Sequence, residues 1–125
     1  MAVKFPDIEK TIVAYFKNAL PNDVRVATLK AAPDKAGVNK QVVVTVAYNG
    51  TSELVLKEAS VTVDVWANDY ATASDLALTV DALVPGLATD PIKKAEVAVG
   101  PSRIAETVGE HRALDVQVIV KGSPL

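Results

Sequence analysis

The sequence predicts an α+β fold, with two helices packed on one face of a four- to five-stranded, mainly antiparallel sheet. Three observations lead there. Two stretches carry apolar residues at helical spacing, one near the N-terminus and one after Trp66. Several β-branched stretches alternate apolar with polar residues, the period of a half-buried strand. These stretches follow one another through turn signals, which gives the order α-β-β-β-α-β-β and a layered arrangement.

The first helix is expected from about Asp7 to Leu20. Ile8, Ile12, Tyr15, Phe16, Ala19 and Leu20 form one apolar stripe. Pro6 is a good first-turn residue, Asp7 and Glu9 suit the positive end of the helix dipole, and Pro21-Asn22-Asp23 stops the helix. Val24 to Leu29 is a short strand candidate. Lys30 to Lys40 holds Pro33, Asp34, Gly37 and Asn39 and reads as a loop with a local basic excess.

Gln41 to Tyr48 is β-branched and leads into Asn49-Gly50, a hairpin turn signal. Thr51 to Glu58 reads as an excursion. Ala59 to Trp66 is the clearest strand, with Val61, Val63 and Val65 on one face and Thr62, Asp64 and Trp66 on the other. The valine face is expected to meet the core. Asn68 or Asp69 then caps a second helix running to about Val84, with Tyr70, Ala73, Ala77, Val80 and Val84 in one stripe joined by Leu76 and Leu83, and Pro85-Gly86 ending it. Lys93 to Val99 and Ala113 to Lys121 complete the strands, with Gly100-Pro101 and Gly109 to Arg112 bounding their connection. The tail Gly122 to Leu125 is expected to fray.

Composition narrows the function. The 125 residues fit one domain over 1–125, large enough to bury a core without disulfide or metal staples. The chain has no cysteine, hence no thiolate nucleophile and no Cys-based metal site. Thirteen basic and 15 acidic residues leave a net charge of −2, which excludes a phosphate-binding surface running the length of a duplex. Aromatics are only 5%, so ligand capture by stacking is disfavoured. Met1 to Asp7 shows no apolar run behind a basic start, so no signal peptide is expected. No apolar run approaches the ~20 residues of a membrane span.

The search for chemistry returns little. His111, the only histidine, sits in Glu110-His111-Arg112 and reads as a solvated turn residue. No second histidine or cysteine supports a metal site, and Asp64, Asp69, Asp75 and Asp81 lack the dense alternation of a calcium loop. The serines show no nucleophile elbow, and the glycines no phosphate loop. Neither enzyme activity nor a cofactor or metal is expected, and alanine at His111 or at any one serine should leave function intact. Asp64 and Trp66 share the strand face away from the valines, and tryptophan is enriched in protein-interface hot spots. Lys30, Lys35 and Lys40 in the long loop, Asn49 and Gly50, and Gly100 and Arg103 at the later turn are the other candidate protein-contact residues.

The opening Met1 to Glu9 resembles that of tail terminator proteins of long-tailed (siphovirus-type) phages of actinobacteria. The segment Ser52-Glu53-Leu54-Val55-Leu56-Lys57-Glu58-Ala59, running into Val61-Thr62-Val63-Asp64-Val65-Trp66-Ala67, is similar to a segment of that family. An Ala-rich helix with Ala71, Ala73, Ala77 and Ala82 and a final Val-rich strand at Asp115 to Val120 continue the resemblance. It covers most of the chain in element order, though its residues are packing residues rather than a diagnostic motif.

What the resemblance implies is assembly without chemistry. Such proteins form a hexameric ring on the end of the tail tube, stop its growth, and offer a docking surface to the head–tail connector. The implied partners are further copies of the chain, the major tail tube protein and the connector. Genomic DNA passes through the ring without specific binding, and no membrane is involved. The implied location is the neck-proximal end of the virion tail, after synthesis in the host cytoplasm. Another head–tail neck protein is the alternative; a small hydrolase or isomerase, or a small ligand-binding α+β module, stands further off.

Overall fold

Val61, Val63 and Val65 lie at the centre of the molecule, none more than 1% exposed. They belong to a strand, Leu56–Ala67, in a computed structural model that describes residues 2–33, 40–53 and 55–125, with backbone alone at 50–53. In chain order the elements are β1 (Val3–Lys4), α1 (Ile8–Ala19), β2 (Arg25–Ala27), β3 (Gln41–Glu53), β4 (Leu56–Ala67), α2 (Tyr70–Leu83), a 3-10 turn (Val84–Leu87), β5 (Ile92–Ile104), β6 (Glu110–Lys121) and β7 (Ser123–Pro124). Five strands form one sheet in the order β2-β3-β4-β6-β5. All its neighbours are antiparallel except β2 and β3, which run parallel. The class is α+β, as the sequence predicts.

Both helices cover the same face of this sheet. Ile8, Ile12 and Phe16 of α1 and Leu76, Ala77 and Val80 of α2 pack with the β4 valines into one core. Val42 and Val44 of β3 and Leu114, Val116, Val118 and Val120 of β6 complete it. Removing each of the larger of these side chains from water contributes about 1.5–3 kcal/mol, so this single layer of contacts dominates stability.

The helix starts are fixed by local chemistry. Asp7 is the N-cap of α1 rather than a first-turn residue, and its carboxylate accepts from the Glu9 N–H at 3.1 Å. The α1 start is also tied to β3: the Tyr48 hydroxyl accepts from the Ile8 N–H at 3.3 Å, and the Glu9 carboxylate from the Val46 N–H at 3.2 Å. Asp69 caps α2, accepting from the Thr72 N–H at 2.8 Å and its hydroxyl at 2.9 Å. α2 stops at Leu83, and Pro85 sits in a tighter turn.

Three expected turns or ends are something else. Asn49-Gly50 does not close the hairpin: β3 runs on to Glu53, and residues 49–51 form a bulge facing Glu58 between the pairs Tyr48–Ala59 and Ser52–Lys57. Gly100-Pro101 does not end β5, which continues to Ile104; it forms a bulge between the pairs Val99–Asp115 and Ser102–Ala113. Gly100 has φ +101°, and a Cβ there would lie 2.5 Å from the Ala113 carbonyl oxygen. The tail is not frayed. β7 pairs with β1, the Leu125 N–H donates to the Ala2 carbonyl at 3.0 Å, and the Gly122 N–H donates to the Val55 carbonyl at 2.7 Å. In each case long-range ladder pairing overrides a local signal.

Leu114, fully buried on β6, is expected to cost about 2–5 kcal/mol when changed to alanine. Gly100→Ala is expected to cost about 1–3 kcal/mol, because the positive φ and the Ala113 carbonyl both oppose a side chain. Leu29→Ala, at a site 75% exposed, should shift stability by no more than about 0.5 kcal/mol. Urea unfolding midpoints check all three.

Candidate functional site

The alternation that buries the valines sends Asp64 and Trp66 to the opposite, helix-free face. Small and polar side chains cover much of that face, and Ser60 and Gln117 bond each other there at 3.1 Å. At one end it carries a convergent cluster. Trp66 pairs in register with His111 of β6, and the two rings stack with centroids 4.1 Å apart at 17°. His111 Nε2 lies 2.7 Å from the Asp64 carboxylate and Nδ1 lies 3.0 Å from that of Glu106, in the β5–β6 connection. The Trp66 Nε1–H reaches Glu106 at 3.5 Å. Val43 packs against Trp66.

His111 is therefore not a solvated turn residue. It is 9% exposed, on a strand, between two carboxylates and an indole. Both ring nitrogens lie within hydrogen-bonding distance of carboxylate oxygens. With both nitrogens so engaged, neither points at a vacant position where a general base would meet a substrate.

A short segment crosses this cluster. Residues 28–33 leave β2 and run over the sheet end, and we call them the strap. Gln41 holds it. The buried Gln41 side chain accepts from the Ala31 N–H at 2.9 Å and donates to the Ala31 carbonyl at 3.2 Å, the pair of groups a neighbouring strand would use. Arg25 donates to the Leu29 carbonyl at 2.6 Å and to Gln41 Oε1 at 3.2 Å. Lys30 Nζ lies 4.8 Å from the Trp66 ring centroid, within cation–π range.

On the helix face of the same sheet end lies a second cluster. Arg112, one residue after His111, points the other way because strand side chains alternate. It is 5% exposed and donates to Glu110 at 3.1 Å and to the Ser74 hydroxyl at 3.2 Å. Arg103 grips both Glu110 oxygens at 3.2 Å. Both guanidinium groups stack near Tyr70, at 4.8 Å and 5.1 Å. These two arginines hold the Glu110 carboxyl below its ordinary value of 4.5, Arg103 contributing most.

Lys30, Asp64 and Trp66 thus meet at one site, though they come from separate segments. Arg103 lies on the other face, in the second cluster. Lys40 forms an ion pair with Asp23 beside the start of β3 and joins neither. Asn49 and Gly50 belong to the β3 bulge, and Gly100 to the β5 bulge, none of them at a turn tip. Lys35 lies outside the described residues. Gln41, Glu106, His111, Arg112 and Tyr70 were not among the expected contact residues. The alternation around Asp64 and Trp66 marked the face, but the register that brings His111 to Trp66 has no local signal.

Among the described residues no group of three or more histidine, cysteine or acidic side chains is arranged to hold a metal ion, and no helix is long and apolar enough to cross a membrane. No protein-family model matches the chain, and no curated protein matches it.

Changing His111 to leucine strips a partner from Asp64 and Glu106 and is expected to lower stability by about 1–2 kcal/mol, read from thermal melting. The pH dependence follows from the depressed carboxyls. Glu110 is held low by Arg103 and Arg112, Asp23 by Lys40, and Asp69 by the Thr72 N–H and hydroxyl. A carboxyl lowered on folding stabilises fully above its unfolded value, and that stabilisation is lost as pH falls through the folded one. The melting temperature should hold steady from about pH 7 to about pH 5 and fall below about pH 4.5, less steeply in Glu110→Gln.

Proposed function

We propose that the chain is a phage tail terminator, which assembles as a ring on the tail tube, ends its polymerisation and gives the head–tail connector a surface to dock on. One observation carries the reading: the fold is one-sided. Both helices cover one face of the sheet. The other face carries mostly small and polar side chains around Trp66 and Val43, and is crossed at one end by a pinned, exposed strap. A subunit in a capped tube needs lateral and axial contact surfaces, and a sheet with one free face supplies them on a rigid body.

The sequence resemblance adds support. Its first stretch corresponds to β1 and the start of α1, its second to the β3–β4 hairpin, and its last strand to β6. The Glu106–His111–Asp64 cluster is read as a strut. It fixes the β5–β6 connection to β4, where the strap also crosses.

The direct test is tail length, seen by negative-stain electron microscopy after removal of this gene from its phage. The expected result is overlong, variable tails without heads. Tails of uniform length that fail to join heads would move the protein to another position in the neck. Normal infectious particles would remove both assembly roles.

A further inference from the structure

Two exposed leucines stand on opposite sides of the sheet in surroundings of opposite charge. Leu29, on the strap, is 75% exposed. Its carbonyl is held by Arg25, and the backbone two residues on is held by Gln41. Arg25 and Lys30 flank it, and residues 24–33 contain no carboxylate. The leucine therefore sits on a backbone already fixed, so docking it costs little further ordering.

Leu78, on α2, is 60% exposed. Ala71 and Ala82, exposed at seven residues before and four after, share its side of the helix. Asp75 and Asp81 flank it three residues away on either side, and α2 contains no lysine or arginine. The small neighbours leave Leu78 standing out from a shallow, acidic helix surface. The inward side of α2 is spent on the core through Ala73, Leu76, Ala77 and Val80.

We infer that the strap of one chain docks on the outer face of α2 of a second copy, Leu29 against Leu78 and its alanine neighbours, with Arg25 and Lys30 facing Asp75 and Asp81. The two patches cannot meet within one chain. The strap crosses the helix-free face, where Lys30 lies over Trp66, whereas α2 lies on the other face over β4 and β6. Because the two patches lie on opposite faces of the sheet, two rigid copies cannot make the contact twice over. It is therefore heterologous, and it leaves one strap and one α2 face open at the ends of any chain of subunits. Such a contact closes into a ring or runs on as a filament according to its rotation. The inference rests on the ring reading for that closure, but not for the contact itself. Opposite charges rimming small apolar knobs favour the mixed pairing over strap–strap or α2–α2 pairing, and added salt should weaken the preference.

The chain has no cysteine, which makes the test clean. Leu29→Cys and Leu78→Cys, both at exposed positions, are made as single variants and shown to melt like the parent. Equal amounts are mixed at millimolar chain concentration under a mild disulfide-exchange buffer, and the dimers are identified by mass spectrometry. The 29–78 dimer is expected to exceed the two like dimers together several-fold, and to fall toward the statistical share in high salt. The doubly substituted chain is expected to give a ladder of higher multimers. A statistical mixture at low salt, an excess of like dimers, or no cross-linked ladder from the double variant would each overturn the inference. Overlong tails on gene removal combined with failure here would leave the terminator role and discard only this contact. The 29–78 pairing without a tail defect would do the reverse.

Discussion

The face of β4 that carries Val61, Val63 and Val65 has to be covered, and both helices, of 12 and 14 residues, are spent on covering it. From that constraint the rest of the molecule follows. β4 lies between β3 and β6, so its valines share one core with both helices and the inward residues of both neighbours. The side-chain period of a strand is two, so the same placement sends Ser60, Thr62, Asp64 and Trp66 to the other face. A slip of one residue in the β4–β6 register would exchange the two sets, burying Asp64 and exposing the valines. The make-up of the helix-free face is thus a consequence of how the core is built.

At one sheet end that alternation does something further. His111 and Arg112 are neighbours in sequence but serve opposite faces. His111 closes against Trp66, Asp64 and Glu106; Arg112 closes against Glu110, Ser74 and Tyr70. Both are nearly buried and both have ionic partners, which is the condition under which such groups are tolerated in an interior. The β5–β6 connection is fastened from both sides at this point. Gln41 fastens the strap beside it by imitating a strand neighbour with a side-chain amide. Rigid presentation of exposed residues is what a docking surface requires, and this end of the sheet has the bonding to provide it.

The parts legible in the sequence were those written in local periodicity. The α1 stripe, the alternation in β4 and β6, the α2 stripe and the Asp69 cap are set by residues within a few positions of one another. Even the sorting of Asp64 and Trp66 away from the core followed from the strand period. What could not be read depended on pairing between distant segments. Asn49-Gly50 and Gly100-Pro101 are turn signals that become bulges, because ladders on both sides of them continue. Ser123-Pro124 looks like a loose end until β1 supplies a partner from the far end of the chain. His111 looks like a turn residue beside Gly109, and only its register with Trp66 makes it the middle of a cluster. Gln41 carries no signal at all, since its role is to bond the backbone of a segment that returns over it.

A sheet covered on one face, a strap pinned across the other and an acidic outer helix give one small domain several distinct contact surfaces. On the proposed reading these are the lateral and axial surfaces of a subunit that caps a tube. The claim concerns position in a particle, so it is tested most directly by locating the chain there. An affinity tag after Leu125, which is 86% exposed, allows gold labelling of intact particles of the phage that encodes it. The account predicts label at the head-proximal end of the tail and nowhere else. Label along the tail, at its distal tip, or absent from the particle would contradict it.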